Sequence, residues 1–243
     1  MILRITSPTE WAEGRIDDDG EGFVHLSHEH QVLTAANTYY KGQRNLLLLV
    51  LDEAKRGEIR VEGGFPHLYD ALTAEAVLGI VDFPCDDDGA FRLALVPVHA
   101  GSPPASDLLA AMVAFLADLN GPVDPAAMPT AEPDEMWAPS GTFLVGWDET
   151  GTPVCCGGVK RLDDGLAEIK RMFVAPDARS RGHARRVLAG LEDAARRLGY
   201  ERVRLDTGPD QPHAKALYTS AGYVEIANYN ANPIATYFGE KQL

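Results

Sequence analysis

Cysteine is scarce in this chain of 243 residues, with Cys85, Cys155 and Cys156 its only three. Three are too few for a disulfide framework, and none of their spacings is the CxxC pair of a zinc site, so no metal is expected. Cys155 and Cys156 adjoin in a strand-like run, residues 154–159, where neighbouring side chains face opposite sides; they read as small, reduced core filling. Long apolar runs are also missing. The run Leu46–Leu51 fits a buried strand and is far too short to span a membrane. No basic region followed by a long apolar stretch opens the chain, which gives the expectation of a cytoplasmic protein with no membrane partner. Positive charge is in deficit, 22 Lys and Arg against 36 Asp and Glu, for a net charge of -14. That balance excludes a general nucleic-acid binder and tilts toward cationic or small neutral partners. No internal repeat is present.

What is there divides in two. Residues 1–90 hold 7 basic and 17 acidic side chains, while residues 91–243 hold 15 and 19, so the second part repels a phosphate ligand less. An acidic, glycine-ended turn, Asp86-Asp87-Asp88-Gly89, separates strand-like runs and sets the expected domains at 1–88 and 89–243. The hydrophobic content of 45% is enough for two small cores. In the second part the periodicities predict a strand over 91–98, a helix over 106–119 ended by Gly121, and a Pro- and Ala-rich loop over 121–140. A hairpin of 142–147 and 154–159 follows, then a strand ending at Val174, a helix to Gly199, a strand over 202–205, a helix over 212–221 and two further strands.

The segment 168–188, EIKRMFVAPDARSRGHARRVL, carries the strongest chemistry. A strand through Met172, Phe173 and Val174 stops at Pro176. Ala184, Val187, Leu188, Leu191, Ala195 and Leu198 then recur at helical spacing, which puts Gly182 in the helix's first turn. Unpaired N–H groups and the positive dipole end there suit anionic oxygens, and a glycine lets them approach. Lys170, Arg171, Arg179, Arg181, Arg185 and Arg186 gather nearby, though several equally suit a solvated face. This arrangement is a site for a pyrophosphate.

Arg179-Ser180-Arg181-Gly182-His183-Ala184 resembles the [Q/R]-x-x-G-x-[G/A] signature of the GNAT superfamily of acyl-CoA N-acyltransferases. The later block QPHAKALYTSAGY resembles that superfamily's N-x-x-A-x-x-L-Y-x-x-x-G-[FY], with Gln211 in the Asn position. The predicted order, βαβββαβαββ, is the GNAT arrangement over about the last 150 residues. The resemblance implies acetyl-CoA as cosubstrate. Its pyrophosphate would lie on Arg179, Ser180, Arg181, Gly182, His183 and Ala184, and its pantetheine arm would pair with Phe173 and Val174 where the strands ending at Val174 and Leu205 splay apart. His183 contributes its backbone N–H rather than its ring. The loop 121–140 stands where such proteins often cover the acceptor site.

Two catalytic residues follow from the same resemblance. Tyr218 matches the tyrosine that protonates the departing thiolate; the plain alternative is a packed tyrosine in a helix. Glu168, eleven positions before Arg179, stands where some members place a general base. Its alternative is a strand-edge ion pair with Lys170 or Arg161.

In the first part, Glu21-Gly22-Phe23-Val24-His25-Leu26-Ser27, Gln31, Glu62 and Phe65-Pro66-His67-Leu68-Tyr69 resemble the bacterial domain-of-unknown-function 952 family over about residues 2–85. That family is similar in fold to ADP-ribosyltransferases, which implies a compact α+β domain with a cleft able to hold NAD. The family often has His or Lys in the first strand, where this chain has Arg4. His25, Ser27, Glu62, His67 and Tyr69 form the candidate site there, for nucleotide binding or acid–base work, against structural histidines as the alternative. Ser27 reads as the N-cap of a helix through Tyr40, and His28 and His30 as the start of that helix, a poor geometry for a metal.

The fold expected is therefore α+β, an ADP-ribosyltransferase-like small domain followed by a GNAT mixed-sheet α/β domain. The function expected is transfer of an acetyl group from acetyl-CoA to an amine of a small molecule or protein by direct attack in a ternary complex, with a homodimer compatible. The alternative is a CoA-binding sensor or scaffold whose first domain recognises a partner or a nucleotide such as NAD.

Overall fold

The structure, a computed structural model, describes residues 1–18, 20–55, 57–120, 131–209 and 211–243. The chain forms two compact units, Met1–Pro97 with Gly146–Pro153, and Val98–Val145 with Val154–Leu243. The first contains β1 (Ile2–Thr6), β2 (Arg15–Ile16), β3 (Val24–His25), β4 (Ser27–His28), α1 (Val32–Tyr39), β5 (Leu46–Leu51), β6 (Ile59–Glu62), β7 (Phe65–Leu68), β8 (Leu72–Thr73), β9 (Val77–Phe83) and β10 (Leu93–Pro97). Its main sheet runs β4-β1-β5-β9, beside a three-stranded sheet β3-β7-β6 and the pair β2-β8.

Both central strands of that sheet are buried along their whole length, which is why Leu46–Leu51 is apolar without alternation. One core cluster gathers Ile2, Leu47, Leu49 and Leu51 with Val24, Leu26, Leu68 and Leu72. Arg4 stands in register with Leu49 and Thr6 with Leu47, so a charged side chain faces an apolar layer. It has a counter-charge close by: Arg4 Nη2 meets Glu10 Oε1 at 2.8 Å, and Thr6 Oγ1 donates to Glu10 Oε2 at 2.6 Å.

The expected helix start at Ser27 is corrected. Ser27 and His28 pair with Leu3 and Ile2 of β1, and the helix begins at Val32 with Gln31 as its N-cap residue. Sheet pairing that buries Ser27 outweighs a local capping preference, and His28 and His30 precede the helix rather than start it. The acidic turn at 86–89 is ordered by Arg92, whose guanidinium binds Asp86 and Asp88 at 2.5 Å each.

The second unit continues with α2 (Ala105–Asn120), β11 (Thr142–Asp148), β12 (Pro153–Asp163), β13 (Leu166–Val174), α3 (His183–Arg197), β14 (Arg202–Thr207), α4 (Pro212–Ser220), β15 (Val224–Glu225) and β16 (Tyr237–Gln242). Counted from β10, the element order is βαβββαβαββ, and the strands of this unit lie in the order β11-β12-β13-β14-β16-β15. The amphipathic α3 buries Val187, Leu188, Leu191 and Ala195. It lies close against β12 at Gly157, where a Cβ would come within 2.7 Å of Leu191 Cδ1 and 3.3 Å of Val187 Cγ1. Of the expected loop 121–140, residues 121–130, including the expected helix stop at Gly121, lie outside the described residues. The rest carries a short 3-10 turn, Pro133–Met136.

Candidate active site

The turn from β13 to α3 leaves the start of the helix open. Gly182 is the N-cap of α3 rather than part of its first turn; its φ is 80°, and nothing lies within 4 Å of where a Cβ would stand. Left-handed backbone favours glycine, and the open space leaves the helix end accessible. Arg186 N–H makes the first helical bond, to Gly182 O at 3.2 Å, so by helix geometry the N–H groups of His183, Ala184 and Arg185 precede the ladder. Arg181 is exposed and has no ion-pair partner among the described residues. Arg179 is anchored: its Nε donates to Val174 O at 3.2 Å and its guanidinium lies 4.2 Å from the centre of the Phe115 ring. The basic cluster expected here is thinner than the sequence suggests. The Lys170 side chain, 9% exposed, lies beside the Glu168 and Asp206 carboxylates, and Arg185 donates to Ser220 Oγ at 2.8 Å.

Next to this turn the sheet opens. Parallel pairing joins Leu166, Ala167 and Glu168 of β13 to Arg202, Val203 and Arg204 of β14, and no pairing follows among the described residues. On its other edge β13 stays paired, Phe173 with Cys156 and Val174 with Cys155. Between Lys170 and Phe173 β13 carries an extra residue relative to β12, and Arg171 there has a φ of 59°. That bulge bends the strand where the two sheet halves part.

Tyr218, on α4, is 6% exposed, and its hydroxyl reaches Met172 Sδ of β13 at 3.8 Å. Burial, then the Asp206 carboxylate, pushes that hydroxyl well above the ordinary tyrosine range, so it holds its proton at neutral pH. Glu168 is 2% exposed and heavily bonded. Its Oε1 accepts Tyr229 Oη at 2.7 Å and Asn230 Nδ2 at 3.1 Å, and lies 3.1 Å from Lys170 Nζ. Asn230 Nδ2 also donates to Asp206 Oδ2 at 2.6 Å, as Asn232 Nδ2 does at 3.1 Å, while Lys170 Nζ is 3.7 Å from the same oxygen. Of the two alternatives for an ion pair, Lys170 is the partner; Arg161 binds Asp164. Burial and the neighbouring Glu168 carboxylate push the Tyr229 hydroxyl far up.

Motif and spacing alone do not single out Asp206, Tyr229, Asn230 and Asn232. Their one legible signal is the alternation Asn228, Asn230, Asn232, each side-chain carbonyl accepting a backbone N–H two residues on, from Asn230, Asn232 and Ile234. Cys155 and Cys156 are buried, and burial pushes the Cys156 thiol up to about 12. Among the described residues no group of three or more His, Cys, Asp or Glu is placed to hold a metal.

In the first unit a cleft of about 850 Å³ is lined by His25, Ser27, Glu62 and His67 of the candidate residues, together with Arg4 and Glu10. Tyr69 is not on its wall and reaches it through Glu62, to whose Oε1 it donates at 2.8 Å.

Residues 110–223 match the model of the acetyltransferase (GNAT) family, and residues 5–80 match a family described as a protein of unknown function (DUF952). The chain is 38% identical over 105 residues to an IAA acetyltransferase of Azospirillum brasilense, covering 42% of this chain and 67% of that protein. It is 33% identical over 113 residues to the uncharacterized N-acetyltransferase YsnE of Bacillus subtilis, covering 44% and 74%. Among solved structures, the putative acyl-CoA N-acyltransferase of Klebsiella pneumoniae aligns with a TM-score of 0.50 at 27% identity, over 62% of this chain and 97% of that one. A GNAT-family acetyltransferase of Staphylococcus aureus shares the fold, with a TM-score of 0.53 at 18% identity. With its mixed sheet parted beside the open, glycine-capped start of α3, the chain belongs to the GNAT family of N-acetyltransferases.

Proposed function

We propose that the chain transfers an acetyl group from acetyl-CoA to an amine by direct attack in a ternary complex, with its functional domains joined near residue 88. The observation that carries this reading is Gly182, left-handed and uncrowded at the start of α3, beside the point where β13 and β14 part. Bound there, acetyl-CoA supplies an activated acetyl thioester. The first-turn N–H groups of α3, with Arg181 and the anchored Arg179, fit its pyrophosphate. The unpaired edge of β13 at Phe173 and Val174 fits an amide-bearing arm in the manner of an added strand. Tyr218, protonated and buried, donates its proton to the departing sulfur. Glu168 takes a proton from the acceptor's ammonium, directly or through a water, which leaves the neutral amine free to attack. Its donors converge on Oε1, and Oε2 takes none among the described residues, so Oε2 is the accepting oxygen.

Calorimetry with acetyl-CoA, combined with transfer assays across a panel of amines, tests this reading. Arg179→Glu with Arg181→Glu is expected to weaken acetyl-CoA binding by about a hundredfold or more, since each anion–guanidinium contact contributes on the order of 1.5–3 kcal/mol. Unchanged affinity would remove the proposed cradle.

A further inference from the structure

The first unit's cleft is walled by acid and by rings. Among the described residues Arg4 is its one lysine or arginine, 4% exposed, and its charge is met by Glu10, both of whose oxygens are taken by Arg4 and Thr6. Asp18, Glu21 and Glu62 stand on the same wall with no further lysine or arginine among them. The nearby Arg60 is held by Glu58 at 2.7 Å and lies over the Tyr69 ring, 4.3 Å from its centre. The field in the cleft is therefore negative, which opposes a phosphate and draws a cation.

His25 and His67 on the wall come from the two signature segments and meet edge-on at 5.2 Å. Off the wall, Phe23 stacks on His67 with centroids 4.4 Å apart and Tyr69 packs on Phe23 at 5.6 Å. Tyr40 and Phe65 add further aromatic surface to the wall. A second, independent feature points to a ligand. His67 lines the cleft, is 9% exposed, and its buried Nδ1 has no hydrogen-bond partner among the described residues. A buried ring nitrogen without a partner is costly, and natural structures leave few of them unsatisfied. An N–H donor that reaches this nitrogen from the cleft would satisfy it.

We propose that this cleft is a binding site for a planar organic cation carrying N–H donors, an amidinium, guanidinium or protonated heterocyclic amine. Carboxylates at the rim neutralise the charge, the aromatic faces cover the plane, and His67 accepts a hydrogen bond. A volume of about 850 Å³ suits a ligand larger than a simple amine. The site is independent of the proposed transfer, because all its residues belong to the first unit.

The test uses the full-length chain and three probes of one shape, benzamidine (cation), benzamide (neutral) and benzoate (anion), titrated by calorimetry. Benzamidine is expected to bind at one site per chain, with benzamide about tenfold weaker and benzoate weaker still. Replacing Glu21→Gln with Glu62→Gln is expected to reduce benzamidine affinity by about tenfold or more while acetyl-CoA affinity stays unchanged. Both residues are exposed, so the variant keeps its fold, and the acetyl-CoA titration separates failure here from failure of the transferase reading. Benzoate bound as well as benzamidine, benzamidine affinity unaltered in the double variant, or tighter binding of an anionic nucleotide such as NAD would each overturn the proposal.

Discussion

Tyr218 on α4 and Glu168 on β13 are both buried polar side chains at the parting of the sheet, and the fold treats them in opposite ways. The Tyr218 ring packs beside Tyr223 and Tyr237, and its hydroxyl has one soft partner among the described residues, the Met172 sulfur. Glu168 is gripped by a tyrosine, an asparagine and a lysine. A hydroxyl in a nearly bare apolar setting keeps its proton and has little else to hold, so it is available to give that proton to a better base. A carboxylate with every approach to one oxygen filled is fixed in direction, and its loss unbalances Lys170 and Asp206 together. The comparison separates a hydroxyl with few polar partners from a carboxylate that holds its surroundings.

The sharpest test is Tyr218→Phe. General acid catalysis is typically worth about a hundred- to ten-thousandfold, so kcat should fall by that order with little change in KM, and stability should change by less than about 1 kcal/mol. A kcat loss below about fivefold would mean that the bare environment is only packing.

Glu168 should behave otherwise. Glu168→Gln is expected to erase the acidic limb of the pH–rate profile and also to cost about 1–3 kcal/mol in stability, because Lys170 and Asn230 lose their charged acceptor. Asn230→Ala leaves the carboxylate present but poorly aimed, and should lower kcat by about ten- to a hundredfold while keeping the acidic limb. If the glutamine variant retains the limb, Glu168 is a structural anchor and another group accepts the proton.

Alkaline stability sharpens the comparison from the side of the phenols. Burial raises the hydroxyls of Tyr218, Tyr223 and Tyr229 in the folded chain. The unfolded chain therefore releases these protons first, and stability is fully present below the ordinary tyrosine value of about 10 and lost progressively above it. Urea midpoints should fall steadily above about pH 10, less steeply in Tyr218→Phe. The smallest effect concerns sulfur. With the Cys156 thiol at about 12, its thiolate at pH 8 is on the order of one part in ten thousand, so a thiol reagent should modify Cys85 alone in the folded chain and leave transfer unaffected.

Elements with a strong local period are legible in the amino-acid order. The stripe Val187, Leu188, Leu191 and Ala195 marks α3, and the unbroken apolar run of β5 marks a strand buried on both faces. Ser27 misleads because a capping residue and a strand residue look alike in isolation; pairing with β1, a partner more than twenty residues away, decides it. The cluster around Glu168 is illegible for a similar reason. Tyr229 and Asn230 approach it across 61 and 62 residues, from a turn-rich loop whose asparagines are explained equally well by local turns.

The sequence by itself settles what depends on neighbours along the chain. That includes where the strongly periodic helices and strands run and which two blocks carry the family resemblance. Short-range sterics and hydrophobic period act over a few residues, so they are written locally. What the tertiary structure alone decides is which side chains share a buried space: Glu168 with Asp206, Lys170 and Asn230, Tyr218 with Met172, and His67 with Phe23 at the wall of an acidic cleft. Those meetings depend on strand register, on the bulge at Arg171 and on where β13 and β14 cease to pair. Each of these is fixed by packing across the whole unit and by no single stretch of chain.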